Sequence, residues 1–392
     1  MKPPRRLILT ALGLQLLLSQ VALEGQQKRG AFALHYGPPL TADQIAWYGR
    51  FEVLVTHDPL PPSQVRQLHQ MGTKLFFYEW SVAFYDANAA RGSWERSLLR
   101  RSRALLNKVP LYGGVGSARS GAFYFDPADA NALEGRARVL TARMHASGYD
   151  GIFFDTTRFE SVHPRAKAEY LRRHPRLSYD VAFSRFLRRL DALGVLIFTN
   201  QGFQSPDHFL PFSDWDLSES LITYPRDGQF VSRPWSDPRD PWNSSRFILE
   251  QLVEIPTRRF PNLRVAHLNY SDGPDRNAIH LVVAASWLFG AEGYVVAPEL
   301  TDEKDEIYFF DPGPPLAARV DANEGTVSYR SFRNALVVIN GGTLPFTVPR
   351  ELSNGSRYKD LTSGRVMRSG IDVSIPATSG RRPSVAILQR LP

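Results

Sequence analysis

The chain has 392 residues, 43% hydrophobic and 22% charged, with a formal charge of +8 and no cysteine. That length can bury a full-size core and suits a barrel of about 250 residues plus a smaller module; the ordinary composition excludes a disordered chain. The lack of cysteine excludes disulfides, thiolate metal sites and a lipidated cysteine.

At the N-terminus, Lys2, Arg5 and Arg6 precede an apolar run from Leu7 to Leu18 and a less apolar stretch to Gly25. This is the three-part grammar of a secretory signal. A membrane span needs about 20 apolar residues, and this run is shorter and interrupted by Gln15. The expectation is a signal peptide over residues 1–25, cleaved between Ala22 and Gln27, with an uncleaved anchor as the alternative. The mature protein is then secreted or periplasmic, with no membrane span, and export without disulfides suggests a bacterial source. The remaining basic excess is scattered over Arg-rich helix faces and no motif accompanies it, so no nucleic-acid partner is expected.

From Ala31 onward, short apolar runs alternate with amphipathic helical stretches, the pattern of a parallel α/β sheet. Eight runs can be counted, over residues 31–37, 51–57, 73–80, 151–157, 195–201, 216–223, 264–270 and 293–298. Eight such strands predict a closed (β/α)8 TIM-type barrel. Helices are predicted around residues 45–48, 65–71, 139–145, 181–193, 247–253 and 278–289, several stopped by a glycine that suits the left-handed closing position: Gly72, Gly148, Gly194 and Gly290. The stretch between the third and fourth strands is too long for one helix. It reads as an insertion over the barrel mouth, with a helix near 93–108, an irregular Gly-rich piece over 112–121, the run AFYFD and a second helix from about Asn131. The Pro-, Asp- and Trp-rich loop over 225–242 looks similar; loops at strand C-termini build substrate clefts. After an acidic, Pro-rich connection the character changes to short alternating strands with Asn, Gly and Pro turns. The predicted organisation is a barrel over 26–315 and a small antiparallel β-sandwich over 316–392.

In such barrels reactive groups sit at the C-terminal strand ends. Those ends carry His35 and Tyr36; His57 and Asp58; Tyr78, Glu79 and Trp80; Asp155; Asn200 and Gln201; Glu219; Asn269 and Tyr270; and, after the eighth strand, Glu299. Carboxylates, amides and aromatics suit a sugar: carboxylates for acid, base and nucleophile, amides and His for hydroxyls, flat rings for the C–H face of a pyranose. Asp155 closes the apolar strand GIFF, where alternation puts it on the side of Phe153; the bland alternatives are a helix N-cap or a salt bridge to Arg158. Glu219 interrupts a β-like segment, against propensity; its bland alternative is an ion pair with Arg119 or Arg226. Strands four and six are two steps apart, so their tips lie roughly 10 Å from each other and two inward side chains can close the gap. Asp155 and Glu219 are therefore the expected catalytic pair, and the other strand-end residues the expected substrate ligands. Asp58, Glu79 and Glu299 are the weaker carboxylate candidates.

The sequence has no G-x-S-x-G elbow, P-loop, H-E-x-x-H or His pair at zinc spacing, so no metal or organic cofactor is expected. The stretches GYDGIFFDTT (148–157), FTNQG (198–202) and DWDLSESLIT (214–223) resemble the endo-α-1,4-polygalactosaminidase-like proteins and neighbouring glycosyl hydrolases with the same barrel. YRSFRNALVVINGG (329–342) is similar to the appended β-domain of the latter. The resemblance implies catalytic carboxylates at Asp155 and Glu219, with Glu219 as acid/base. The expected protein is a monomeric glycoside hydrolase acting on an extracellular polysaccharide, an amino-sugar polymer being one candidate. The competing expectation is a non-catalytic carbohydrate-binding envelope protein on a degenerate barrel; a metal-dependent deacetylase lacks its clustered ligands.

Overall fold

The structure is a computed structural model that describes residues 30–391 except 38, 82, 86–104, 111–120, 158, 163, 274, 297–303, 354–356, 368–372 and 379–381. Eight parallel strands, β1 (Gly30–His35), β2 (Phe51–Thr56), β3 (Lys74–Trp80), β4 (Gly151–Asp155), β5 (Leu196–Asn200), β6 (Trp215–Glu219), β7 (Arg264–Tyr270) and β8 (Glu292–Val296), pair in that order. They are the eight runs expected from the sequence. β8 lies beside β1 and nearly closes the circle, with the Tyr294 ring 6.1 Å from Phe32 and 5.8 Å from Phe51. At this seam the Tyr308 hydroxyl accepts from the Val295 amide at 3.2 Å, satisfying a donor that a strand neighbour would otherwise take.

Gly72, Gly148, Gly194 and Gly290 have φ of 82°, 75°, 76° and 75°. Each turns the chain through the left-handed region, which a Cβ would penalise, between a helix and the next strand. The barrel interior is filled by aromatic side chains. Phe198 of β5 is their hub, its ring 5.5 Å from Phe32, 5.7 Å from Phe76, 5.2 Å from Phe153 and 5.4 Å from Trp215. These rings make the floor under the strand ends, each buried aromatic contributing about 1.5–3 kcal/mol by transfer from water.

The insertion after β3 differs in one respect from the sequence expectation. The helix near 93–108 and the Gly-rich piece over 112–121 fall largely outside the described residues, and 105–108 belong to a strand, Leu105–Pro110. Gly121–Phe125 is the central strand of a three-stranded antiparallel sheet between Leu105–Pro110 and Ala83–Tyr85. Ladder pairing supplies backbone partners that outweigh a helical apolar spacing. The loop after β6 begins as a hairpin, Thr223–Arg226 with Gln229–Ser232. Its two turn residues, Asp227 and Gly228, have φ of 53° and 78°, the double left-handed pair that matches strand twist.

The C-terminal segment forms one six-stranded antiparallel sheet, with a separate two-stranded ladder, Phe346–Thr347 with Ser374–Ile375. A sandwich of two sheets was the expectation; the barrel itself explains why a second full sheet is not required on the inner face. Along the strand Ala335–Asn340, Val337 and Ile339 join the barrel's hydrophobic core, as does Ile387 opposite Val337. The intervening Leu336 and Val338 join a second core with Phe346, Val348 and Ile375. One face thus lies against the barrel helix Arg276–Phe289 and the other under the short ladder. Trp235, almost fully buried, ties the barrel loops to the sheet through a 2.9 Å bond from Nε1 to Ser328 Oγ. Deleting residues 316–392 should consequently expose a contiguous apolar helix face and give an aggregating barrel. Light scattering and dye binding on the truncated chain check this; a monodisperse, dye-silent barrel would contradict it.

Candidate active site

Side chains alternate along a strand, so of two neighbours at a strand end only one faces the barrel axis. The inward set is Tyr36, His57, Tyr78, Asp155, Asn200, Glu219 and Tyr270, one from each of the first seven strand ends. Tyr78 Oη donates to Asp155 Oδ2 at 2.5 Å. Asn200 Nδ2 donates to Asp155 Oδ1 at 2.6 Å and to Glu219 Oε1 at 2.7 Å. Tyr270 Oη donates to Glu219 Oε2 at 3.0 Å, and the Tyr36 and Tyr270 hydroxyls are hydrogen-bonded to each other. His57 closes the belt, its ring 5.7 Å from Tyr36 and 4.5 Å from Tyr78. Phe230, from the hairpin after β6, stacks on Tyr270 at 5.3 Å and is held by a 2.8 Å bond from its amide to Asp272.

The other strand-end candidates have different surroundings. His35 is buried and its Nδ1 lies 3.0 Å from Tyr48 Oη on the helix Ala42–Tyr48. Glu79 pairs with Arg136 at 3.4 Å and Arg143 at 3.1 Å on the helix Ala130–Ser147. Asn269 Oδ1 accepts from the Ile222 and Thr223 amides at 2.9 and 3.2 Å and its Nδ2 donates to His267 Nδ1 at 2.8 Å, so its side chain holds the start of the hairpin. Asp58 is exposed beside His57, at 3.5 Å. Trp80 packs edge-on against Tyr124 in the inserted sheet. Gln201 follows Asn200 with its Oε1 buried. Glu299 and Arg158 lie outside the described residues, as does Arg119, while Arg226 lies 3.6 Å from Asp227. Among the described residues neither Asp155 nor Glu219 has an ion-pair partner.

Three of the inward residues are followed by a non-glycine in the left-handed region: Thr156, Gln201 and Ser220, with φ of 60°, 66° and 60°. Such conformations cost of order 1–3 kcal/mol each and persist only where the surroundings over-determine them. Here they are held by Ser81, which donates its amide to Asp155 O and its hydroxyl to Thr156 O. Thr157 likewise donates its amide and its hydroxyl to Asn200 O. The Ser220 amide reaches Leu268 O, and Arg233 Nε reaches Ser220 O. Each abrupt turn leaves the preceding Asp, Asn or Glu at the rim of the barrel axis.

Beneath Asn200 lies a residue that strand-end reading passes over. Asp216 faces outward from β6, fully buried, and accepts from Thr199 Oγ1 at 2.7 Å, the Gly202 amide at 2.7 Å and the Phe203 amide at 3.2 Å. Burial pushes its carboxyl up to about 7 against those three donors. Gly202 is required there: a Cβ would sit 2.6 Å from Thr199 Oγ1 and 2.7 Å from Asp216 Oδ1. The signal in the sequence was an aspartate inside an apolar strand at the parity opposite to Glu219.

Burial raises the Glu219 carboxyl above its ordinary range; the Asn200 and Tyr270 donors pull the other way and the Asp155 charge adds to the rise. The hydroxyls of Tyr36 and Tyr270 are also pushed up by burial, and Glu219 adds to the rise of both, so they stay protonated donors at neutral pH. Among the described residues, no group of three or more His, Asp or Glu side chains could hold a metal ion, and no helix is long and apolar enough to cross a membrane.

Compared with known proteins, the sequence matches no family model and no curated protein. Solved structures do match. Amy13B of Eubacterium rectale is 8% identical and overlays 93% of this chain with 96% of its own at a TM-score of 0.56. An Anoxybacillus alpha-amylase is 10% identical, covering 94% of this chain and 99% of its own at 0.52. The glycoside hydrolase domain of PelA from Pseudomonas aeruginosa is 20% identical over 69% of this chain and 95% of that domain, with a looser overlay of 0.49. At these identities the likeness is one of fold, and the chain shares the (β/α)8 barrel on which such glycoside hydrolases are built.

Proposed function

We propose that the protein is a retaining glycoside hydrolase that cleaves an extracellular polysaccharide with Asp155 as nucleophile and Glu219 as general acid and base. The observation that carries this reading is the single Asn200 nitrogen 2.6 Å from one carboxylate and 2.7 Å from the other. The two oxygens it touches cannot be further apart than the sum of those contacts, so the carboxyl groups face one gap within the spacings glycosidases use, and the sequence resemblance leans toward the retaining class. Two donors, Tyr78 and Asn200, hold both oxygens of Asp155 and fix the orientation of the nucleophile. Glu219, whose proton affinity burial raises, is the group suited to give a proton to the departing glycosidic oxygen. Asp155 attacks the anomeric carbon as that bond breaks, forming a glycosyl ester; the Glu219 carboxylate then takes a proton from water, which attacks the same carbon and frees Asp155. Tyr36, His57 and Phe230, in the belt around the carboxylates, supply ring surfaces for the sugar.

That neither carboxylate has a cationic partner among the described residues supports turnover over a degenerate binding barrel, in which a salt-bridged carboxylate would be expected. A cleft bearing Asp155 and Glu219 without a cationic partner among the described residues suits a neutral or cationic chain, and together with the sequence resemblance this favours an amino-sugar polymer. The basic-then-apolar N-terminus supports action outside the cytoplasm. Purified full-length protein should release reducing ends from at least one exported polysaccharide when incubated with a panel that includes galactosamine polymers, with Asp155→Asn as the blank. Binding to a polymer with no cleavage of any would favour the carbohydrate-binding reading.

A further inference from the structure

We infer that Asn200 is a positioning residue that sets the spacing and the charge state of the two carboxylates, and not a ligand of the sugar. The inference rests on the carboxylate-pair reading and adds to it the group that makes the pair work. A side-chain amide has two N–H donors, and both are spent: one on Asp155 and one on Glu219, at 2.6 and 2.7 Å. No donor is left for a sugar hydroxyl. The remaining oxygen, Oδ1, is buried and has no hydrogen-bond partner among the described residues.

The backbone around Asn200 is fixed on both sides. Its carbonyl accepts from the Thr157 amide at 3.3 Å and the Thr157 hydroxyl at 2.7 Å. Thr199 before it and Gly202 after it both donate to the buried Asp216. The Gln201 amide donates to Leu217 O at 2.8 Å in a left-handed turn. A side chain held this rigidly, below the belt of tyrosines, acts on its neighbours by geometry. Like charges this close repel, and each favours a proton on the other. An amide whose two donors point at both carboxylates offsets that repulsion and holds the spacing while Asp155 stays charged and Glu219 passes its proton back and forth. Removing it should raise the Glu219 proton affinity, because a hydrogen bond to its charged form is lost while the Asp155 charge stays beside it.

The test uses the full chain and two readouts. In the first, wild type, Asn200→Ala and Asp155→Asn are labelled at glutamate carboxyl carbons, Glu219 is assigned by its absence in Glu219→Gln, and its titration is followed by carbon NMR. In Asn200→Ala the Glu219 midpoint should move to higher pH, and in Asp155→Asn to lower pH. The second readout is cleavage of a galactosamine polymer. Asn200→Ala should lose kcat by about 10- to 100-fold with KM within about twofold, and the basic limb of its pH profile should move up with the NMR midpoint. An unmoved Glu219 midpoint, or a raised KM at wild-type kcat, would overturn the assignment and make Asn200 a sugar ligand or a bystander. Wild-type turnover in Asp155→Asn would instead overturn the paired-carboxylate reading, while the NMR arm would still decide whether Asn200 controls Glu219.

Discussion

Asp155→Asn should abolish hydrolysis of the natural polysaccharide, by at least about a thousandfold in kcat, while leaving the fold and polymer binding nearly intact. The amide is the same size as the carboxylate, and the Tyr78 and Asn200 donors 2.5 and 2.6 Å away would still find one acceptor oxygen between them. The nucleophile is lost because an amide oxygen does not form the glycosyl ester. Glu219→Gln should cost about 10²–10⁴-fold, with the smaller loss on substrates whose leaving group departs without a proton. In the wild type, raised proton affinity at Glu219 should place the basic limb of the kcat/KM profile above the ordinary carboxylate range. The Glu219 carboxyl itself should titrate at lower pH in Asp155→Asn, where the neighbouring charge is gone. Parallel assays on a polymer and on an activated aryl glycoside, with circular dichroism as the folding control, measure all three effects. Wild-type rates in either variant would sink the mechanism and return attention to the other carboxylates in the barrel.

The second large effect is expected at a residue that touches no substrate. Asp216→Ala would strand the Thr199 hydroxyl and the Gly202 and Phe203 amides in a fully buried site, each unsatisfied donor costing about 1–3 kcal/mol. A loss of roughly 3 kcal/mol or more should appear as a lower denaturant midpoint. Turnover should fall as well, since the same turn carries Asn200. The pH dependence has a definite sign. Asp216 holds its proton to about pH 7 in the folded chain and to about 3.9 when unfolded, so the folded state carries the extra proton between those values. Its contribution to stability is complete at low pH, declines as pH rises from about 4 to about 7 and is level above that. Between pH 5 and pH 8 this amounts to about 2–3 kcal/mol. Asp216→Asn, which cannot titrate, should lack this component. Urea unfolding at the two pH values distinguishes the cases; an equal pH dependence in wild type and Asp216→Asn would show that Asp216 is ionised throughout.

Much of the fold was legible in the sequence because the signals are local. Strand periodicity, amphipathic helix spacing and the preference of glycine for positive φ depend on neighbours a few residues away, so the eight barrel strands and the stops at Gly72, Gly148, Gly194 and Gly290 could be read directly. Where an apolar run admits two structures, long-range pairing decides. Residues 105–108 fit a helical spacing, yet they lie in a strand because Gly121–Phe125 is there to pair with them. In the C-terminal sheet, Val337 and Ile387 look like the core of a self-contained sandwich, but the apolar face they bury against belongs to the barrel.

For the candidate site, the residue types at the strand ends and, through alternation, the face that Asp155 shares with Phe153 are legible along the chain. What those side chains bind depends on contacts made across the fold. Glu79 and Asn269 sit one residue from Tyr78 and Tyr270, and that single step turns them from the axis toward Arg136 and the hairpin amides. Asn200 meets Asp155 across 45 residues of chain and Glu219 across 19, and Tyr270 meets Glu219 across 51. Such distances are set by strand register, barrel closure and the left-handed turns at Thr156, Gln201 and Ser220. None of these has a local composition signal, because each is an energetic compromise in which packing and hydrogen bonds elsewhere offset strain at the site.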